Sequence, residues 1–137
     1  SISSWLVAGG AVAQLLEALK AQPDSVDVQG YGCMALHQLV TRSTRARVQV
    51  WTLGADPVLS AMGAHVTDDR VQHYGCATVA VLACGTGSLQ GEGTSSRSIK
   101  LVCRAMEVHR AAALVQGWGC VALQNLACRS ADNCREI

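Results

Sequence analysis

Apolar positions in this chain recur at helical spacing, and the whole pattern then recurs every 43 or 44 residues. Three segments align: Val28-Gln29-Gly30-Tyr31-Gly32-Cys33-Met34-Ala35-Leu36-His37-Gln38-Leu39, Val71-Gln72-His73-Tyr74-Gly75-Cys76-Ala77-Thr78-Val79-Ala80-Val81-Leu82 and Val115-Gln116-Gly117-Trp118-Gly119-Cys120-Val121-Ala122-Leu123-Gln124-Asn125-Leu126. A Val-Gln pair, an aromatic, Gly-Cys and a closing Leu keep step in all of them. Leu19, Met62 and Met106 hold the same register, each nine residues before the Val of the pair. Self-similarity at this period marks an array of supersecondary units.

Within each unit the periodicity predicts a long helix. Gly32, Leu36 and Leu39 share one face, flanked by Cys33 and Val40. Gly75, Val79 and Leu82 repeat that face, as do Gly119, Leu123 and Leu126. A shorter amphipathic helix precedes each, over residues 12–19, 57–62 and 99–106. Gln22-Pro23-Asp24-Ser25 and residues 65–69 separate the two helices, since Pro ends a helix and Asp or Ser caps the next. Pro57 suits a first helical turn, where its missing N–H costs nothing. Residues 44–54 predict one or two further helical turns that bury Val48, Trp51 and Leu53. Their counterpart, residues 85–96, holds four glycines and three serines in twelve positions, which predicts a mobile loop.

At 137 residues, 50% hydrophobic and 15% charged, the chain has the composition of a folded domain. A net charge of +1 argues against a nucleic-acid partner, which needs a basic field. No apolar run approaches the roughly 20 residues of a membrane span. The opening residues lack signal-peptide features, so an intracellular, cytoplasmic location is expected. With 4% aromatics and no Phe, the core must be built from Leu, Val, Ala, Cys and Met.

Seven cysteines invite other readings. Cys33, Cys76 and Cys120 recur a whole unit apart, beyond the roughly 7 Å Cα separation that a disulfide allows. For the same reason they cannot share a zinc, and no Cys-x-x-Cys pair exists. Cys33, Cys76, Cys84, Cys103, Cys120 and Cys128 therefore read as structural thiols among apolar neighbours, and Cys134 as the accessible one. His65 and His109 fall at the end of the middle helix, where His suits the dipole. His37 and His73 read as solvated, and Arg42, Arg45 and Arg47 as a modest solvated patch. No nucleophile triad, phosphate-cradling loop or carboxylate pair stands out. Neither enzyme activity, a metal nor a cofactor is expected.

The period, the Ala8-Gly9-Gly10-Ala11 stretch, Pro23-Asp24-Ser25 and the run Val115-Gln116…Gly119-Cys120-Val121-Ala122-Leu123-Gln124-Asn125-Leu126-Ala127-Cys128 resemble the armadillo repeat family. The resemblance spans nearly the whole chain. It implies an all-α, right-handed α-solenoid of three-helix repeats, with HEAT-like repeats as the nearest alternative. The units are approximately 1–42, 43–84 and 85–128, and 129–137 resembles the beginning of another. Three repeats lie near the lower limit for a stable array, so a longer array or a capping partner is expected.

The resemblance also implies a protein-protein interaction scaffold whose last helices line a concave groove for a partner chain or extended peptide. Peptide-binding members carry a groove Trp followed four residues later by Asn. Here the Trp slot holds Met34, Ala77 and Val121, and the Asn slot holds Gln38, Val81 and Asn125. That departure, and the lack of acidic residues on these helices, argue against a basic-peptide groove of the nuclear-import type. One turn earlier the aromatics Tyr31, Tyr74 and Trp118 recur. They either form a contact ladder for a partner or seal the seam between repeats. These nine residues are the candidate partner-binding face. Two alternatives are a regulatory solenoid of a larger enzyme and an accessory or assembly subunit of a large complex.

Overall fold

Seven helices follow one another in the computed structural model, which describes residues 2, 4–5, 9–84 and 91–129. No strand occurs among them. Helix α1 (Ala11–Ala21) follows Gly10, whose φ of +85° is readily adopted only by glycine. Ser25 then caps α2 (Val26–Arg42), its hydroxyl accepting from the Val28 N–H at 3.2 Å. Ser43 does the same for α3 (Thr44–Leu53), accepting from Ala46 N–H at 3.1 Å. Gly54, at φ +103°, ends α3 and turns the chain into α4 (Asp56–Ala64), with Pro57 in its first turn. Asp68 caps α5 (Asp69–Leu82) through the Val71 N–H at 2.9 Å. Helices α6 (Gly91–Val108) and α7 (Ala113–Arg129) follow.

Two sequence expectations need correction here. Residues 91–96, expected in a loop, form the first turns of α6; residues 85–90 lie outside the described residues, as do 130–137 with Cys134. The reason lies in two positions. Where the middle unit has the helix-breaking Gly54, the third has Ser98, buried and bonded through its hydroxyl to Thr94 O at 2.8 Å. Where the middle unit has Pro57, the third has Leu101. Nothing interrupts the helix, and burial of Ile99 and Val102 overrides the weak propensity of its glycines and serines. The second correction concerns α3, which buries Ala46 and Val50 while Val48 and Leu53 stay exposed. Trp51 is half-buried, and its indole N–H donates to Leu82 O at 3.1 Å.

The helices pack in two rows. The long helices α2, α5 and α7 lie side by side in that order, and α1, α4 and α6 form a parallel row behind them. Each rear helix also packs on the long helix that follows it, and α3 closes against α1 and α2. Between the rows lie Leu36, Leu59, Met62, Leu82 and Leu126, all essentially inaccessible to solvent. Each such side chain contributes roughly 1.5–3 kcal/mol by leaving water.

The recurring Gly of the Gly-Cys pair sets how closely the rows approach. A β-carbon at Gly32 would stand 2.7 Å from Leu19 Cδ2, and one at Gly75 2.5 Å from Met62 Cγ. At Gly119 it would stand 2.5 Å from Met106 Sδ. The residue nine before each Val-Gln pair therefore occupies the space that the glycine leaves open.

Candidate functional site

Polar contacts repeated in register hold the long-helix row in place. The Gln29 side-chain amide donates to Leu19 O at 3.0 Å and Gln22 O at 2.8 Å. Gln72 donates to Met62 O at 3.0 Å and His65 O at 2.9 Å. Gln116 donates to Met106 O at 2.8 Å and His109 O at 3.0 Å. Each amide thus caps the C-terminus of the preceding rear helix, whose last carbonyls have no intrahelical donor. Sequence reading found the Val-Gln pair but not this task.

The histidines that end α4 and α6 tie one unit to the next. His65 Nε2 donates to Pro23 O at 2.7 Å, and His109 Nε2 to the register-equivalent Val66 O at 2.7 Å. His109 Nδ1 also lies 2.6 Å from Asp69 Oδ1. Arg70 pairs with Asp27 at 3.0 Å and Arg97 with Asp56 at 3.1 Å, both near solvent, where such pairs are worth about 0–1 kcal/mol.

His37 is buried, contrary to the solvated reading. Its ring lies 5.9 Å from that of Tyr74 and 5.2 Å, edge-on, from that of Trp118. His73 stacks on Tyr74 at 4.1 Å. Rings from α2, α5 and α7 therefore meet across the row. Tyr74 and Trp118 sit partly buried against the core. Tyr31 stands apart, exposed, with the Arg70 guanidinium 4.4 Å from its ring centroid.

This cluster has a consequence for pH. Burial lowers the pKa of both His37 and His73 below the ordinary 6.5, and the neighbouring His73 charge lowers His37 further. Just below that value the unfolded chain binds more protons than the folded one. The stability due to these neutral histidines is present in full above about pH 6.5 and is lost as pH falls through the folded values. Tm is expected to fall between about pH 7.5 and 5.5, and to fall less in His37→Gln. Equal slopes would remove His37 from the account.

The nine candidate residues do not form one surface. Val81, Trp118, Val121 and Asn125 converge on a cleft of about 470 Å³. Thr41 and Arg47, from the end of α2 and the start of α3, form its far wall, with Ala80 and Cys84 alongside Val81. Met34 and Tyr74 line a separate hollow beside Arg70 and Leu114. Gln38 faces another, with Leu15 and Leu39, at the first edge of the rows. Ala77 is fully buried and can touch no partner, which corrects its place among the contact residues. The cause is its helix: among the described helices, α5 alone has a long helix on each side. Asn125 has an internal task as well. Its Nδ2 donates to Ala80 O at 2.8 Å, a carbonyl near the end of α5. Thr41 goes unnamed in the sequence, while Arg47 reads there as a solvated charge and Cys84 as a structural thiol, because all three come from helix ends outside the aligned segments.

Set against known proteins, the chain matches no family model, no curated protein and no solved structure.

Cys33 and Cys76 are buried, and burial pushes both thiols up to about 12, so they remain protonated. Cys84, Cys103, Cys120 and Cys128 are exposed, which corrects their reading as structural thiols among apolar neighbours. Cys120 is the register equivalent of Cys33 and Cys76. That position is buried where a later long helix packs alongside and exposed on α7, where none does among the described residues. Among these residues no group of three or more His, Cys, Asp or Glu side chains is placed to hold a metal. No described helix is long and apolar enough to cross a membrane.

Proposed function

We propose that this chain is an armadillo-type, right-handed α-solenoid segment that serves as a non-catalytic scaffold, holding a partner protein along its row of long helices. The observation that carries this reading is the cleft at Trp118. Side chains from all three long helices or their ends meet there, and Val121 remains 39% exposed at its wall. Trp118 and Arg47, which meet at this partly buried cleft, are residue types enriched in interaction hot spots. Two features of the fold support the solenoid part: the two parallel rows, and the Gln, His and Gly contacts that repeat with the sequence period.

A photo-crosslinking residue at position 121 tests the proposal against one at Lys20, an exposed site on α1. Affinity capture is expected to yield a defined adduct from position 121 and none from position 20. Equal labelling from both positions, or none from 121, would rule out the groove.

A further inference from the structure

Building on the scaffold reading, we propose that the segment held in the Trp118 cleft is an extended acidic peptide, anchored through a carboxylate on Arg47. The placement of acids along the chain is the first ground. Residues 28–55, 70–91 and 108–131 contain no Asp or Glu, and every residue lining the cleft falls within one of these stretches. The acids that the long helices do carry, Asp27 and Asp69, sit in first turns, already facing Arg70 and His109. None of the described residues that line the cleft is a carboxylate.

The second ground is Arg47 itself. Its Nη1 donates to Val40 O at 2.8 Å and its Nη2 to Thr44 Oγ1 at 2.8 Å. Both acceptors are uncharged, and a guanidinium has five N–H donors, so three have no acceptor among the described residues. Anchoring by two bonds removes in advance much of the side-chain entropy that binding would otherwise cost. Arg42 and Arg45 are exposed on the same acid-free stretch. Beside Arg47 the cleft is apolar, with Val81, Val121 and the Trp118 ring. Asn125 keeps its Oδ1 and one N–H for a peptide backbone, since only one amide hydrogen is committed to Ala80 O. A carboxylate next to an apolar side chain satisfies each of these groups. A Lys-rich segment meets no counter-charge and is repelled by Arg47.

The test uses the 137-residue chain and labelled peptides of about twelve residues, identical except at a few positions carrying Glu, Gln or Lys. A single-stranded RNA of similar length is measured alongside, all by fluorescence anisotropy. The Glu peptide is expected to bind roughly tenfold or more tighter than the Gln peptide, with affinity falling as salt rises. The Lys peptide should bind weakest. Arg47→Gln should abolish the preference for Glu over Gln. Because Arg47 also caps α2, Val121→Glu provides an independent variant that leaves that cap intact, and it should weaken the Glu peptide roughly tenfold. Equal affinity for the Glu and Gln peptides would overturn acid selection and leave the groove reading standing. Tighter binding of the RNA would overturn the peptide in favour of nucleic acid. Failure of every peptide to bind would overturn both this inference and the groove.

Discussion

Gln72→Glu is expected to destabilise the fold by about 3–5 kcal/mol, although the two side chains differ by one heavy-atom substitution. The Gln72 amide is 1% exposed and gives both its hydrogens to carbonyls, Met62 O and His65 O. A carboxylate in the same place has no hydrogen to give and sets negative charge against two negative dipoles. The carbonyls lose their donors, each at roughly 1–3 kcal/mol, and the charge is buried without a partner. Against a total stability of about 5–15 kcal/mol, that loss is a large fraction. Urea denaturation would measure it. Gln116→Glu should cost less, because Gln116 is only half-buried and water can reach the new charge. A Gln72→Glu variant within about 1 kcal/mol of the wild type would refute the capping role.

Gly75→Ala should lower stability by about 1–3 kcal/mol through overpacking, where helix propensity alone predicts a gain of about 1 kcal/mol. The new β-carbon would come 2.5 Å from Met62 Cγ and 2.8 Å from its Sδ. Met62 is 1% exposed and packed in the core, so its side chain must shift within close-packed neighbours to make room. Gly117→Ala supplies the contrast, since nothing lies within 4 Å of a β-carbon there and propensity is free to act. It should be neutral or mildly stabilising. A double-mutant cycle isolates the contact. Met62→Ala alone should cost about 2–5 kcal/mol, and the double variant should recover at least about 1 kcal/mol of the summed losses. Additive losses would mean that close helix approach is not what requires glycine at position 75.

The helices and their limits were legible in the sequence wherever the controlling contact is local. Ser25, Ser43 and Asp68 cap helices through N–H groups three residues ahead, and Pro57 marks a start. Gly32, Gly75 and Gly119 were readable as close approaches because the residue filling the gap recurs nine places before each Val-Gln pair. The run-through of α6 was legible too, in the exchange of Gly54 for Ser98 and Pro57 for Leu101, but glycine content pointed the other way.

What the sequence could not determine depends on residues that lie one or two units further along the chain. His37 reads as a polar residue on a helix surface and is buried because Tyr74 and Trp118 arrive from two later helices. Ala77 and Val121 occupy equivalent positions, yet one is sealed and the other open, because α5 is flanked on both sides. Arg47 reads as a solvated charge and becomes the fixed cation of a cleft only when α7 brings Trp118 and Asn125 opposite it. The sequence alone determined the repeat, the capped helix starts and every helix but the first turns of α6, since those signals act within a turn or two. The tertiary structure decided which equivalent positions stay accessible. Exposure is a property of the neighbouring helix, and a repeated sequence does not say where its neighbours stop.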